Sequence, residues 1–343
     1  MGITIRRLAQ LAGVSHVTVL RALHGRDAVS ERTRRHVIEL ARKHHFPLPP
    51  TRATESQDRL NALCSMIDTQ NDIPPSNQGF SHRLLAGLIR GVAACGAELM
   101  NVSGPSETEW PLVVNRRQVD GVVMEFGDEL APHPPLPAPV PMVLIFAGPP
   151  QADVVTVANF DGGRLLGAHL AELGHRRVAY LGLRSSMSLE RLAGLRTALE
   201  QDGGSTPPEC VTLFQQSGGR EFTTEMLDRL LARARAANAG ANGFTALACY
   251  NDYLAAAAIL HLRERGVRVP EDVSVIGFDH VRPVWYDGPA LTTVAMPLEE
   301  IGAEAVRLLY WRLAHPDAPP RRLVLNAPLV AGETTRAVKT VSS

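Results

Sequence analysis

Residues 4–46 read TIRRLAQLAGVSHVTVLRALHGRDAVSERTRRHVIELARKHHF, and this stretch decides the fold of the N-terminal part of the chain. Its apolar residues recur at intervals of three and four, the spacing of one face of an α-helix. A first short helix ends at Gly13, because glycine readily takes the left-handed conformation that closes a helix. Ser15 is placed to cap a second helix over 16–23, and Ser30 to cap a third. The stretch therefore predicts three short helices with a tight turn between the first two.

The charge of the chain is divided unevenly. The sequence has 343 residues, with 35 basic and 35 acidic side chains and a formal net charge of zero. The first 50 residues nevertheless hold nine Lys and Arg against three acids, a net charge of +6, which leaves −6 for the remainder. A small basic module suits a polyanion such as DNA, and an acidic remainder does not. Three short helices with this charge predict a helix-turn-helix domain.

The second helix of a helix-turn-helix enters the major groove with its N-terminal residues towards the bases. We therefore predict that His16, Val17 and Arg21 read bases. Arginine can make a bidentate contact with guanine, histidine can form one hydrogen bond, and valine can touch a thymine methyl group. Ser15 and Thr18 lie at the start of the same helix and are predicted to contact the DNA backbone.

From Leu60 onward, short apolar runs alternate with amphipathic stretches. The predicted strands are 60–67, 97–102, 119–125, 140–146, 177–182, 245–250 and 273–278. The predicted helices are 80–95, 161–173, 189–201, 223–237 and 252–265. This repeated β-α-β order predicts doubly wound parallel sheets.

Several motifs resemble those of the lac repressor and galactose repressor (LacI/GalR) family. In the headpiece they are LAGVS-x-x-TV-x-R at 11–21 and VSERTR at 29–34. In the remainder they are VDGVV at 119–123, HLAELGHRRVAYLG at 169–182, S-x-ER-x-AG at 188–194, ALACYNDYLAAAA at 246–258, VPEDVSVIGFD at 269–279 and LTTVAMP at 291–297. The resemblance covers nearly the whole chain. It implies an all-α helix-turn-helix headpiece followed by an α/β effector domain of the periplasmic binding protein-like type I fold, with two Rossmann-like lobes.

The same resemblance implies a division of the chain. The expected parts are a DNA-binding domain at 1–46, a hinge at 47–59, and an effector-binding and dimerisation domain at 60–336. Within the last, one lobe is expected to combine 60–157 with 296–321, and the other 158–295 with 322–336. Three crossovers join the lobes, and the ligand is expected in the cleft between them.

Open parallel sheets bind ligands at the carboxyl ends of their strands. The residues predicted to bind the effector are Arg191, Asn251, Asp279, Phe80 and Phe146. The first three can form charge-assisted or polar bonds with ligand hydroxyls or with a ligand acid. Asp252 starts a predicted helix, so two roles are open for it, ligand binding and helix capping. Phe80 and Phe146 either face the ligand or belong to the core.

The segment after the third helix departs from the family. Members usually carry a short segment that folds on DNA and wedges a leucine into the minor groove. Here Pro47, Pro49 and Pro50 favour extended backbone, and Thr54 or Glu55 occupies the region of the wedge. We expect that this hinge does not intercalate or does so only weakly, and that specificity rests more on the major-groove helix.

Other functions fit the sequence less well. The P-loop motif and the G-x-S-x-G motif of hydrolases do not occur, and GGRLLGA at 162–168 lacks the dinucleotide-binding spacing. Neither the histidines nor the four separated cysteines form a metal-binding pattern. We therefore expect no enzymatic activity, no cofactor, no metal, and buried free thiols. A binding protein without DNA activity is the other alternative, but it would not need the basic headpiece.

The predicted function is that of a sequence-specific transcriptional repressor whose affinity for a double-stranded DNA operator is controlled by a small-molecule effector. In this family the effector is commonly a sugar or sugar derivative. No apolar run approaches the roughly 18 residues that span a bilayer, and the N-terminus has no apolar leader, so a cytoplasmic location is expected. The C-terminal AVKTVSS lacks the heptads of a tetramerising coiled coil, so we expect a homodimer. A symmetric dimer implies a pseudo-palindromic operator.

Overall fold

A computed structural model of the chain describes residues 5–23, 29–44, 46, 60–66, 78–102, 110–126, 136–214, 220–236 and 243–338. The chain divides into two compact units, Met1–Arg59 and Leu60–Ser343. The hinge at 47–59 lies outside the described residues, and with it the prediction about minor-groove intercalation.

The first unit contains the three predicted helices, α1 (Ile5–Ala12), α2 (His16–Leu23) and α3 (Glu31–Lys43). They share a small core in which the side chains of Leu8, Val19 and Val37 are completely buried. Each of these residues comes from a different helix, so the three helices stabilise one another by packing. Short helices of this length are marginal when isolated in water.

The predicted helix ends of the first unit are confirmed. Gly13 has a φ of +65°, the left-handed conformation that closes α1. The Oγ atom of Ser15 accepts a hydrogen bond of 3.1 Å from the amide of Thr18. Likewise the Oγ atom of Ser30 accepts one of 3.2 Å from the amide of Thr33. The two serines therefore cap α2 and α3 as the sequence indicates.

The second unit alternates strands and helices. Its described strands are β1 (Ala62–Met66), β2 (Glu98–Asn101), β3 (Gly121–Phe126), β4 (Met142–Phe146), β5 (Asp153–Val157), β6 (Val178–Leu183), β7 (Val211–Phe214), β8 (Ala246–Cys249), β9 (Ser274–Ile276), β10 (Thr293–Val294), β11 (Arg322–Leu325) and β12 (Leu329–Val330). Its described helices are α4 (Gln78–Cys95), α5 (Leu112–Asn115), α6 (Asn159–Glu172), α7 (Ser186–Gln201), α8 (Arg220–Ala236), α9 (Asp252–Glu264) and α10 (Leu298–Ala314), with a 3-10 turn at Pro208–Cys210. None of the helices described is long and apolar enough to cross a membrane.

The strands form two parallel sheets, as predicted. One has the order β11-β5-β4-β3-β1-β2 and the other the order β7-β6-β8-β9. We call the halves of the unit built on them the first lobe and the second lobe. A short antiparallel pair, β10 with β12, accompanies them. Most strands of the two sheets are buried, for example β5 and β8, in which every residue is buried. This is the pattern of sheets covered on both faces.

The described chain passes between the two sheets three times, after β5, after β10 and after β11. The boundary expected at 321/322 is wrong. Strand β11 pairs in parallel with β5, with Arg322 opposite Val154, so it belongs to the first lobe. It is a short edge strand whose residues are exposed or half-buried. Its place in the sheet depends on pairing with β5, and the apolar pattern of the sequence did not reveal this pairing. The last crossover therefore follows Leu325.

Helices α6 and α7 of the second lobe approach each other very closely through glycines. A Cβ atom added to Gly194 of α7 would overlap the backbone oxygen of Phe160 in α6. A Cβ atom added to Gly163 would overlap the backbone oxygen of Arg191. Because the opposing atoms are backbone, they cannot move aside as a flexible side chain could. These glycines fix the position of α7, the helix that carries Arg191.

We predict that Gly194→Ala lowers the free energy of unfolding of the second unit by about 1–3 kcal/mol, the usual cost of overpacking. Urea unfolding of the full chain, followed by circular dichroism, measures this. Glu200→Ala, at an exposed position of the same helix, is the control and should change stability by less than about 0.5 kcal/mol. Equal stability of Gly194→Ala and the wild type would contradict the close approach of the two helices.

Candidate DNA-binding surface and effector cleft

One face of α2 is exposed, and it carries the three predicted base readers. His16, Val17 and Arg21 are all exposed, while Val19 and Ala22 on the opposite face are buried in the headpiece core. Val17 leaves 42 % of its surface accessible although it is apolar. The helix therefore presents an imidazole, an apolar group and a guanidinium on one surface, and each of them can contact base edges.

Ser15 and Thr18 lie together at the start of α2. Their hydroxyl oxygens are 2.8 Å apart, and Ser15 also caps the helix through the amide of Thr18. The structure thus gives both side chains a local role in the helix end. A helix N-terminus also attracts phosphate, so contact with the DNA backbone stays a prediction for these two residues.

Several basic side chains are exposed on the surface of the headpiece. The exposed ones among the described residues are Arg7, Arg21, Arg32, Arg35 and Lys43. Arg7 donates a hydrogen bond of 3.0 Å to the side chain of Gln10, which keeps it on the surface of α1. Clustered exposed cations on a small domain favour binding to the phosphate backbone.

In the second unit, Arg191 is the centre of a buried polar cluster at the carboxyl ends of the second lobe's strands. Its Nε atom donates to Oδ1 of Asn159 at 2.9 Å, and its Nη1 atom donates to the backbone oxygen of Tyr250 at 2.6 Å. The guanidinium carbon lies 3.6 Å from the ring centroid of Phe278, and Nη1 lies 3.6 Å from a carboxylate oxygen of Asp279. The fold thus brings together Arg191 and Asp279, two predicted effector residues that are far apart in the sequence.

Asp279 begins a turn of unusual backbone conformation three residues after the end of β9. Its φ is +108°, and that of His280 is +57°, values that side chains other than glycine seldom adopt. Burial raises the pKa of Asp279 from its ordinary value of 3.8 to about 7, although the nearby Arg191 guanidinium lowers it. The carboxyl group therefore changes protonation close to neutral pH.

Neighbouring residues Asn251 and Asp252 have different roles. The side-chain oxygen of Asn251 accepts a hydrogen bond of 2.9 Å from the amide of Leu254 and caps α9. The capping interpretation of Asp252 is therefore wrong. Its carboxylate is buried and its Oδ2 atom accepts a hydrogen bond of 2.8 Å from the amide of Val281. Burial and the nearby Asp279 carboxylate raise the pKa of Asp252 well above its ordinary range.

The two predicted aromatic residues contact each other in the first lobe. The ring centroids of Phe80, in α4, and Phe146, at the end of β4, are 5.5 Å apart. Phe146 is buried and Phe80 is half-buried, and both pack with the large apolar core that includes residues of both lobes. Contact between either ring and an effector stays a prediction.

Sequence reasoning missed three residues of this region, Glu125, Asn159 and Tyr250. Desolvation raises the pKa of Tyr250, and the carboxylate of Glu125 adds to this effect. Because Glu125 lies on β3 of the first lobe and Tyr250 follows β8 of the second, this interaction acts across the cleft. Both stand at strand ends, the signal that identified Asn251. Asn159 follows β5, a strand that the sequence analysis did not identify.

The cysteines show no sign of reactive chemistry. All four are free, and Cys64, Cys210 and Cys249 are buried, as expected, whereas Cys95 is only half-buried. Burial raises the pKa of Cys64 to about 11, which keeps its thiol protonated at neutral pH. In the part of the chain that the structure describes, no three His, Cys, Asp or Glu side chains gather in a way that could hold a metal ion.

The buried carboxylates predict a dependence of stability on pH. Because the pKa values of Asp252 and Asp279 are raised in the folded state, the folded chain binds more protons than the unfolded chain above pH 3.8. Their contribution to stability is complete below 3.8. The part from Asp279 is lost as the pH rises through about 7, and the part from Asp252 is lost as the pH rises through its own raised pKa. We predict that Asp252→Asn gains stability relative to wild type as the pH rises from about 5 to about 8, as measured by urea unfolding.

A buried histidine acts in the opposite direction and must be separated from this effect. Burial lowers the pKa of His175 from 6.5 to about 4, so its contribution is present above 6.5 and is lost as the pH falls. This contribution of His175 is the same in the wild type and in Asp252→Asn, so it cancels in the difference between their stabilities. A difference in stability that does not vary with pH would contradict the burial of an ionisable Asp252.

Known protein families match residues in both units of the chain. The chain matches the family model of bacterial regulatory proteins, lacI family, over residues 4–47, and that of a periplasmic binding protein-like domain over 168–335. It is 28% identical over 343 residues to the HTH-type transcriptional repressor PurR of Mannheimia succiniciproducens, covering 98% of this chain and 99% of that protein. It is 29% identical over 348 residues to the HTH-type transcriptional regulator CelR of Thermobifida fusca, covering 96% and 98%.

A solved structure of a transcriptional regulator has the same fold over nearly the whole chain. The complex of the transcriptional regulator CelR with cellobiose superposes with a TM-score of 0.65 at 26% identity, covering 97% of this chain and 99% of that one. The matches thus extend over both units, in the same order along the chain. The chain thus combines the DNA-binding domain of the lacI family of bacterial regulatory proteins with a two-lobed periplasmic binding protein-like domain, which is the organisation of a DNA-binding transcriptional regulator.

Proposed function

We propose that the chain represses transcription in the cytoplasm as a homodimer on a pseudo-palindromic operator, and that a neutral sugar or sugar derivative in the cleft controls its affinity for DNA. We assign it no catalytic role. The observation that carries the proposal for the effector is the buried pair of Arg191 and Asp279 at the strand ends of the second lobe. A symmetric dimer implies an operator with two related half-sites.

The exposed face of α2 supports the choice of DNA contacts. Arg21 can form two parallel hydrogen bonds with guanine, and Val17 offers the apolar surface that a thymine methyl group needs. The exposed cations of α3 bind any sequence through phosphate, so they add affinity and salt dependence but no base preference.

The charges of the cleft support a neutral effector. The Arg191 guanidinium already faces the Asp279 carboxylate and donates to two other oxygens, so little of its positive charge is left for an anionic ligand. Glu125 adds a carboxyl group from the opposite lobe. Hydroxyl groups can both donate to carboxylates and accept from a guanidinium. CelR, a relative of similar length, was solved with the neutral disaccharide cellobiose.

Control of DNA binding follows if the effector favours one arrangement of the lobes. A ligand that contacts residues of both lobes has different affinities for open and closed forms, and shifts the population towards the form it binds better. Coupling energies of this kind are typically about 1–3 kcal/mol. The sign, release or tightening of the operator, depends on which form binds DNA.

A thermal-shift screen of the full chain tests the effector class. The panel contains cellobiose, D-ribose, the corresponding sugar acids and nucleosides. A neutral sugar at 100 times its Kd should stabilise the protein by about 2.7 kcal/mol, and Arg191→Gln should abolish the shift. Arg196→Gln, in the same helix and half-buried, is the control and should keep it. Stabilisation by sugar acids alone would contradict a neutral effector.

The base-reading role of Arg21 is tested on an operator selected from a random DNA library with the wild-type chain. We predict that Arg21→Ala weakens binding to this operator by about 1–3 kcal/mol and relaxes the preference at one base pair. Arg35→Ala, an exposed cation of α3, should instead weaken binding to all sequences and reduce the salt dependence. Equal losses of Arg21→Ala on operator and random DNA would show that Arg21 contacts only phosphate.

A further inference from the structure

The turn 279–281, which we call the linking turn, lies between the effector site and the first lobe. The side chain of its first residue, Asp279, faces Arg191. Its backbone contacts residues of the opposite lobe, described below. Because Asp279 and His280 both have positive φ, the turn has a conformation that surrounding contacts must hold in place.

Asp252 holds the linking turn from the second lobe. Its buried carboxylate accepts the hydrogen bond of 2.8 Å from the amide of Val281, the last residue of the turn. The packing around it is close, because a Cβ atom added to Gly277 would overlap Oδ1 of Asp252. The backbone amide of Asp252 in turn donates to the oxygen of Phe278 at 2.7 Å. Asp252 thus joins the start of α9 to Phe278, which precedes the linking turn, and to Val281, which ends it.

Arg83 holds the linking turn from the first lobe. Its Nη1 atom donates to the backbone oxygen of His280 at 3.3 Å. Its Nε and Nη2 atoms form a two-point ion pair with Glu299 of α10, at 2.8 and 3.0 Å. Hydrogen bonding from Arg83 lowers the pKa of Glu299, so the pair is ionised at neutral pH. This geometry fixes the guanidinium and leaves one nitrogen for the opposite lobe.

A second contact from α4 supports the first. At the start of this helix, a Cβ atom on Gly79 would lie 3.1 Å from Cγ1 of Val281. Glycine at this position therefore lets the helix approach the linking turn closely. Helix α4 therefore meets the linking turn at two points, the backbone oxygen of His280 and the side chain of Val281.

We infer that Arg83 and Asp252 are positioning residues that clamp the linking turn from opposite lobes, so that the Asp279 carboxylate and the closure of the cleft respond to each other. Displacement of Asp279 by an effector would move the oxygen of His280 relative to Arg83. Opening of the lobes would release the turn in the same way. The effect on effector affinity rests on the proposed function, whereas the clamp itself does not.

Hydrogen–deuterium exchange of the effector-free full chain tests the clamp, read in peptides that cover 277–286. Arg83→Gln should speed exchange there about fivefold, the factor expected for an opening equilibrium that loses one hydrogen bond. Peptides of β6 and α7 should keep their wild-type rates. Arg90→Gln is a matched control, because Arg90 also lies on α4 and bonds Glu300 of α10 at 2.8 Å, and its described contacts lie within the first lobe.

Variants of Asp252 give an independent reading. Asp252→Ala removes the acceptor of the Val281 amide and should speed exchange of the same peptides, while Asp252→Asn keeps an acceptor oxygen and should restore slow exchange. Wild-type exchange in Arg83→Gln, or an equal increase in Arg90→Gln, would overturn the clamp. If Asp252→Ala does not fold, the Arg83 comparison still decides.

The consequence for binding is measured with cellobiose as the probe. In Arg83→Gln the half-saturating concentration should change several-fold, and in Arg90→Gln it should not. An unchanged value in Arg83→Gln, with wild-type binding intact, would overturn the link to effector affinity. If cellobiose does not bind the wild type, cellobiose is excluded as the effector. The exchange result then still decides whether the clamp exists.

Discussion

The ion pair between Arg191 and Asp279 is the interaction on which the sensor half of the structure depends. Burying two charges is expensive, and removal of one partner from a buried pair typically costs about 3–5 kcal/mol, because the other is left uncompensated. The protein meets this cost with additional partners. Asn159 and the backbone of Tyr250 accept from the guanidinium, and the ring of Phe278 lies against it. The pair is stable only while these groups keep their positions.

The rest of the second lobe keeps those positions. Close glycine contacts hold α7, which carries Arg191, against α6. A parallel sheet delivers the other groups, since its strands end at the same edge. The linking turn that carries Asp279 is in contact with both lobes, through Asp252 and Arg83. A change at the ion pair is therefore a change at the lobe contact, which is the property that a sensor of small molecules requires.

The sequence was sufficient for much of this fold because the decisive signals are local. The helices of the headpiece follow from apolar spacing and from Gly13, Ser15 and Ser30, and the main strands follow from apolar runs. Non-local features could not be obtained in this way. Strand β11 carries only three apolar residues, Leu323 to Leu325, and its lobe is decided by pairing with β5. Nothing local distinguishes Asn251 from Asp252 as the cap, since both can accept the hydrogen bond, and only the packed structure separates them.

The central claim is that occupation of the cleft and binding of DNA are coupled. The most direct test is a titration of the full chain onto its selected operator, with and without the neutral sugar found in the screen, at one fixed salt concentration. We predict that the sugar changes the Kd for the operator about 5- to 150-fold, and that it does not change the operator Kd of Arg191→Gln. An operator Kd that is the same with and without a sugar that demonstrably binds the cleft would contradict this coupling.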